Sequence, residues 1–139
     1  DHVCYYLARE KIMFTGDTIL GASSSTVRDL SSYMESLEKL SAFRVDIICP
    51  AHGPIVPKPR GSRLIPWYIN HRNQRELEVL AALQKGIIDV EDMVRDIYPR
   101  NLKKGLRRAA AGNVRTHLSK LVKDKLVEEV PATYRMKSG

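Results

Sequence analysis

Short apolar runs in the first third of the chain predict β-strands. Residues 3–8 and 11–14 are rich in β-branched and aromatic side chains, and the polar pair Arg9-Glu10 separates them. So short a connection joins antiparallel strands, because a parallel crossover needs about a dozen residues or more. Residues 45–49 form another apolar run, which is typical of a strand buried between two layers.

Helical spacing of apolar residues fills the gap between these strands and continues after them. One helix is predicted to begin after Thr26, a good N-cap, and to run to Leu40. Residues 53–66 contain four prolines, and we expect no regular structure there. Pro66 suits the first turn of a second, long helix, which should end near Gly86.

The pattern changes after this glycine. Apolar spacing predicts a short helix over residues 90–97, stopped by a proline, and a further helix or a pair of helices over residues 102–125. Residues 126–130 and 133–136 are predicted to form a small closing hairpin. Helices followed by a hairpin describe a winged-helix-like module. We therefore divide the chain into residues 1–86 and residues 87–139.

Two of the predicted strands end in residue types that bind metals. Phe14-Thr15-Gly16-Asp17 ends in a carboxylate after a glycine, and Cys49-Pro50-Ala51-His52-Gly53-Pro54 carries an imidazole among turn-forming residues. Ligands often lie on loops at strand ends, and both groups suit zinc. If Asp17 and His52 belong to one centre, their functional atoms should lie on the order of 4–6 Å apart. Either motif alone is more often a plain turn or a solvated histidine.

This pair of motifs resembles two metal-binding motifs of the metallo-β-lactamase superfamily. The resemblance extends, in order, to Tyr68-Ile69-Asn70-His71-Arg72 and His117-Leu118-Ser119-Lys120-Leu121. It implies an α/β chain, the C-terminal half of an αββα sandwich followed by a small winged-helix-like α+β module. It also implies two zinc ions in the intact enzyme, with Asp17 as the bridging ligand and His52 as a terminal ligand. The branch with this appended module includes a mitochondrial endoribonuclease and fungal polyketide thioesterases.

The superfamily's H-x-H-x-D-H motif, which supplies most of the metal ligands, is absent from this sequence. The chain begins with Asp1 rather than methionine, so we expect it to be part of a longer protein. Two ligands are too few for tight zinc binding. We therefore assign no catalytic residue and expect the N-terminal half of the fold as a partner, without which the chain is inactive. We interpret His71 as a structural histidine satisfied by hydrogen bonds and His117 as a surface residue.

Charge adds a candidate partner. The formal net charge is +7, and most of it lies in the second half of the chain. Such density favours a polyanion-binding surface, although a solvated helix face accounts for it equally well because no aromatic platform accompanies it. The candidate nucleic-acid-binding residues are Lys103, Lys104, Arg107, Arg108, Arg115 and Lys120.

The function that these observations favour is zinc-dependent hydrolysis of RNA phosphodiesters, with single-stranded RNA as a partner. Two alternatives stay open, namely a thioesterase of the same fold and a non-catalytic module that binds nucleic acid or protein. Cys4 and Cys49 lie in apolar strands, where free thiols in a reducing compartment are the simplest interpretation. We therefore expect an intracellular protein of the mitochondrial matrix or the cytoplasm. No apolar run approaches the length of a membrane span, and we expect no membrane partner.

Overall fold

The computed structural model describes residues 3–21 and 27–130 and confirms the predicted α/β class. No helix in these ranges has both the length and the apolarity needed to cross a membrane. The strands are β1 (Tyr5–Leu7), β2 (Ile12–Gly16) and β3 (Ile47–Pro50), and the helices are α1 (Leu30–Ser41), α2 (Gly61–Gln84), α3 (Val90–Ile97) and α4 (Lys104–Lys123).

The three strands form one sheet in the order β1-β2-β3. β1 and β2 are the predicted antiparallel hairpin, and β2 runs parallel to β3. Because side chains alternate across a strand, Tyr6, Met13 and Ile48 share one face of the sheet. Met13 and Ile48 are buried, so this is the face that packs against the helices.

The opposite face of the sheet is apolar and largely uncovered by the described residues. Tyr5 pairs with Phe14 across the hairpin, and Leu7 lies on the same face two residues along β1. Tyr5 is 68% exposed, Leu7 45% and Phe14 43%. A sheet normally packs such a face against another layer.

α1 and the first half of α2 cover the buried face and complete a first hydrophobic core. α1 begins at Leu30, with Asp29 as its N-cap, and the Asp29 carboxylate accepts from the Ser32 amide at 3.2 Å. The helix is confirmed, but the predicted start is wrong because Val27 and the residue after it precede the first turn. The predicted cap, Thr26, lies outside the described residues.

α2 begins at Gly61 rather than at Pro66, so the expectation of irregular structure is wrong for residues 61–66. The start of α2 approaches the segments beside it closely. A Cβ built on Gly61 would lie 2.4 Å from the Asp46 carbonyl oxygen and 2.5 Å from that of Val56, so glycine alone fits there. Pro66 therefore lies inside the helix.

A second hydrophobic core lies between the end of α2, α3 and α4. Gly86, with a φ of +81°, follows the end of α2 as predicted, and the Ile87 amide donates to the Ala82 carbonyl at 3.0 Å. α3 covers the predicted residues. α4 is a single helix and passes through Gly105 and Gly112, where a Cβ would meet no other atom within 4 Å.

The predicted closing hairpin lies at the edge of what the structure describes. Residues 126–130 follow α4 without forming a strand in the described part, and residues 133–136 lie outside it. The second core includes Val79 and Ala82, so the two cores share α2. The division of the chain at residues 86 and 87 stays a prediction.

Candidate metal centre and basic surface

Asp17 directly follows the last residue of β2. Gly16 has a φ of +53°, a conformation that glycine adopts at little cost, and this turns the chain out of the strand. The Ala51 amide donates to the Gly16 carbonyl at 2.9 Å. The backbone that carries Asp17 is therefore bonded directly to the residue that precedes His52.

His52 lies two residues after the end of β3 and is followed by Gly53, whose φ is +91°. The Nε2 atom of His52 lies 3.5 Å from the Oδ1 atom of Asp17. The His52 side chain is 79% exposed and that of Asp17 is 44% exposed. The two side chains meet at the edge of the sheet, at a shorter separation than we expected for two ligands of one centre.

These residues fit a metal in type but not in number. Asp17 Oδ1 is buried and has no hydrogen-bond partner within residues 3–21 and 27–130, although it faces the imidazole of His52. A carboxylate and a neutral imidazole are ordinary zinc ligands. In the same two ranges, no group of three or more histidine, cysteine, aspartate or glutamate side chains could hold a metal. Asp17 and His52 therefore stay predicted ligands of a centre that needs others.

The segment after Asp17 is held by tyrosine side chains that the sequence analysis gave no role at the site. We name residues 18–21 the Asp17 loop. The Tyr68 hydroxyl donates to the Leu20 carbonyl and accepts from the Leu20 amide at 3.2 Å. The Tyr33 hydroxyl donates to the Thr18 carbonyl at 2.8 Å. A signal existed, because a tyrosine within an apolar stripe needs a partner for its hydroxyl group.

The candidate nucleic-acid-binding residues divide into two groups. Lys120 has two acidic partners, since its Nζ atom lies 2.9 Å from Glu76 Oε1 and 2.7 Å from Asp124 Oδ2. A phosphate at Lys120 would compete with both carboxylates. The others form no ion pair with any described residue, and all except the half-buried Arg107 are exposed: Lys103, Lys104, Arg107, Arg108 and Arg115.

Arg107 lines a cavity of about 310 Å³ together with Arg95, Arg100 and Tyr98. The Arg75 guanidinium carbon lies 4.1 Å from the centroid of the Tyr98 ring. No aromatic platform near the basic residues was expected from the sequence. Tyr98 follows α3, whereas Arg107 belongs to α4, so the sequence does not show that the two side chains are neighbours.

His117 is buried, and the surface position expected for it is wrong. Its side chain is 1% exposed, and its Nδ1 atom lies 3.8 Å from Glu76 Oε2. Burial, with the positive charges of Arg72 and Arg75 as further causes, lowers the pKa of His117 to about 4. His117 therefore belongs to the packing between α4 and α2.

His71 stacks on Trp67, with ring centroids 5.0 Å apart and planes 4° from parallel. Partial burial is the main cause that lowers the pKa of His71, and neighbouring arginines add to it. Among residues 3–21 and 27–130, the contact that holds this ring is thus a stack rather than the expected hydrogen bonds.

Two family profiles match separate parts of the chain. The profile described as the Metallo-beta-lactamase superfamily matches residues 1–52, which include both Asp17 and His52. The profile described as the Beta-lactamase associated winged helix domain matches residues 90–135, which include α3 and α4.

Curated relatives are similar over nearly the whole chain. The chain is 39% identical to the Beta-lactamase-like protein 2 homolog of Drosophila melanogaster over 127 residues, which is 89% of this chain and 42% of the relative. It is 33% identical to the Lactamase-like protein nscB of Arthroderma gypseum over 141 residues, covering 91% of this chain and 44% of the relative. The chain therefore spans less than half the length of these relatives.

Solved structures share the fold. A metallo-beta-lactamase family protein from Thermus thermophilus superposes with a TM-score of 0.64 at 21% identity, over 88% of this chain and 40% of the other. A beta-lactamase domain protein from Burkholderia ambifaria gives a TM-score of 0.65 at 24% identity, over 88% and 39% of the two chains. At these identities the similarity concerns the fold alone.

Proposed function

The chain carries metallo-β-lactamase superfamily sequence joined to a β-lactamase-associated winged helix domain, and on this premise we propose that it is the C-terminal part of a zinc-dependent hydrolase of RNA phosphodiesters. The observation that carries the proposal is the contact between Asp17 and His52. In this proposal Asp17 would be the bridging zinc ligand and His52 a terminal zinc ligand. When bound, zinc lowers the pKa of water and stabilises negative charge on the reacting group.

The part that this chain plays is to hold two ligands in register. The Ala51 amide on the Gly16 carbonyl fixes the two strand ends relative to each other without any metal. The side chains of Asp17 and His52 already face each other. Ligands that are held in place before the metal arrives lose less conformational freedom on binding.

We propose that the N-terminal half of the same fold supplies the remaining ligands and covers the open face of the sheet. Tyr5, Leu7 and Phe14 on that face are each more than two fifths exposed, which supports a missing layer. Two protein ligands are too few for tight zinc binding, so residues 1–139 alone should be inactive.

The choice of RNA among possible substrates rests on the basic surface of the second module. Lys103, Lys104 and Arg108 at the start of α4 are exposed and have no acidic partner among the described residues. Tyr98 lines the adjoining cavity with Arg107, and Arg75 lies over its ring. Basic groups and aromatic side chains together suit single-stranded nucleic acid. Because both cysteines are free thiols, we propose a reducing compartment, either the mitochondrial matrix or the cytoplasm.

A non-catalytic binding module is the second candidate function. It is favoured by the count of ligands, since no metal-binding group of three or more side chains exists within the described residues. A thioesterase of the same fold would use the same centre with another substrate. The basic surface argues against the thioesterase, because a thioester offers no run of phosphates to bind.

The test is to combine the chain with an N-terminal half that carries H-x-H-x-D-H and to assay hydrolysis of single-stranded RNA and of a simple thioester. The proposal predicts zinc-dependent RNA cleavage by the combined protein. Thioester hydrolysis without RNA cleavage would show that the substrate is a thioester rather than RNA. RNA binding without hydrolysis of either substrate would favour the binding module. The isolated chain, assayed in parallel, should cleave neither.

A further inference from the structure

One stretch of α2 has no part in the function proposed so far. It is Tyr68-Ile69-Asn70-His71-Arg72, which the sequence analysis singled out by resemblance without a role. Tyr68 and Arg72 are one helical turn apart and therefore lie on the same face of α2. Tyr68 is 1% exposed and Arg72 is 4% exposed. A buried phenol needs a polar partner, and the partner of Tyr68 lies near the candidate metal site.

Tyr68 reaches the Asp17 loop directly. Its hydroxyl donates to the carbonyl of Leu20 and accepts from the amide of the same residue. Both backbone groups of one residue are thereby satisfied by a side chain that is 48 positions away in sequence. The contact joins α2 to a residue three positions after Asp17.

Arg72 acts on the same loop through Tyr33. The Arg72 guanidinium carbon lies 5.5 Å from the centroid of the Tyr33 ring, which is a cation–π contact. The Tyr33 hydroxyl in turn donates to the Thr18 carbonyl at 2.8 Å. The residue immediately after Asp17 is thus hydrogen-bonded to a side chain of α1, and Arg72 contacts the ring of that side chain.

Side chains outside the Asp17 loop bond to its whole backbone length. Each of its four consecutive carbonyls accepts a hydrogen bond from a side chain outside the loop, and we name these four bonds the carbonyl clamp. Backbone groups in regular structure bond to one another, so this loop depends on side chains for its shape. The four donors and their carbonyls are Tyr33 to Thr18, Thr15 to Ile19, Tyr68 to Leu20 and Arg60 to Gly21.

We infer that Tyr68 and Tyr33 are positioning residues that hold the Asp17 carboxylate against His52. The Ala51 amide fixes the backbone before Asp17, and the carbonyl clamp fixes the backbone after it. With both sides fixed, the direction in which the Asp17 side chain leaves the chain is set without a metal. The value of this arrangement for metal binding rests on the proposed function, whereas the arrangement itself does not.

The test is Tyr68→Phe in the complete chain, with Tyr6→Phe as the matched control. Tyr6 also donates its hydroxyl to a backbone carbonyl, that of Arg44 at 2.6 Å, but that carbonyl lies outside the Asp17 loop. Both variants lose one hydroxyl and keep the ring. NMR gives two readouts, the exchange rate of the Leu20 amide and the nuclear Overhauser effect between the Asp17 β-protons and the His52 ring.

Tyr68→Phe should speed exchange of the Leu20 amide about fivefold, the value of one ordinary hydrogen bond, and should weaken the Asp17–His52 Overhauser effect. Tyr33→Phe should weaken the same effect by releasing Thr18. Tyr6→Phe should leave both readouts as in the unmodified chain. An unchanged Overhauser effect in Tyr68→Phe, or its absence from the unmodified chain, would overturn the inference.

Titration with Zn²⁺ alone separates this inference from the proposed function. If Asp17 is a ligand, Tyr68→Phe should weaken zinc binding about tenfold, as loss of a group that orients a metal ligand commonly does, while Tyr6→Phe should not. If the Overhauser effect depends on Tyr68 but the unmodified chain binds zinc no better than the Asp17→Asn variant does, the positioning role stands and the metal role of Asp17 is wrong.

Discussion

The described part of the chain contains two pairs of a histidine and a carboxylate, and they differ mainly in burial. At the sheet edge, His52 Nε2 lies 3.5 Å from Asp17 Oδ1, and both side chains are substantially exposed. Between α2 and α4, His117 Nδ1 lies 3.8 Å from Glu76 Oε2, but the imidazole is 1% exposed. Similar chemical groups at similar distances thus lie in very different surroundings.

The surroundings decide what each pair can do. Around His117 the positive charges of Arg72 and Arg75 add to burial, and a proton on the imidazole is strongly disfavoured. Glu76 is shared with Lys120, so this carboxylate has its own cationic partner. The pair at the sheet edge has no such neighbour among the described residues and is open to solvent. A metal or another chain can reach that pair, whereas the buried pair joins helices.

The largest effect should follow from a change to the exposed pair. In the chain combined with its N-terminal half, Asp17→Asn should lower RNA turnover by about a thousandfold or more, because it removes the charge that holds both metals. Steady-state kinetics at saturating zinc measure this. Asp46→Asn is the matched control, since Asp46 pairs with Lys58 at 3.0 Å and has no part in the centre. Similar losses in both variants would refute a special role for Asp17.

A change to the buried pair should alter the stability of the fold at acidic pH rather than the turnover. The pKa of His117 is about 4 in the folded chain and near its ordinary value of 6.5 when unfolded, so the unfolded state binds the proton more readily. The resulting stability is present above pH 6.5 and is lost as the pH falls towards 4. The size of the effect is about 3 kcal/mol.

Urea unfolding at a series of pH values measures this dependence. His117→Leu should flatten the fall in the free energy of unfolding between about pH 7 and pH 4, because leucine cannot take up a proton. His52→Leu removes an exposed imidazole instead and serves as the control, in which the fall should persist. If the two variants gave the same acid profile, the contrast between the two histidines would be lost.

The smallest effect concerns the salt dependence of RNA binding. The slope of log affinity against log salt is negative, and Arg107→Ala/Arg108→Ala should make it shallower by about 1.4. This corresponds to two lost contacts with single-stranded phosphates. Lys39→Ala/Arg44→Ala removes the same charge from exposed positions outside α4 and should change the slope less. Equal slopes in the two double variants would indicate a general effect of net charge.

The sequence predicted the elements well where local patterns decided them. The hairpin of β1 and β2, the end of α2 near Gly86 and the extent of α3 all followed from alternation, helical spacing and turn residues. The start of α2 did not, and its first residue, Gly61, makes a tertiary contact in which it closely approaches the carbonyls of Asp46 and Val56. Such an approach leaves no mark in the local pattern.

The site was predictable in part. Strand ends with metal-binding residue types indicated that Asp17 and His52 would meet, and they do. The burial of His117 was readable in principle, since Val114 and Leu121 lie one turn away on either side of it on the buried face of α4. The tyrosines of the carbonyl clamp could be expected to need partners, but the loop that they reach was not predictable, because it depends on how the helices pack.

The most direct test of the account is the zinc affinity of residues 1–139 alone, compared with that of the same chain combined with an N-terminal half carrying H-x-H-x-D-H. Equilibrium dialysis with zinc, followed by an RNA hydrolysis assay on the same samples, measures both properties together. We predict weak zinc binding and no turnover for the chain alone, and tight binding of two zinc ions with RNA cleavage in the combination. Tight zinc binding with zinc-dependent turnover by residues 1–139 alone would contradict the account, because two ligands could not produce it.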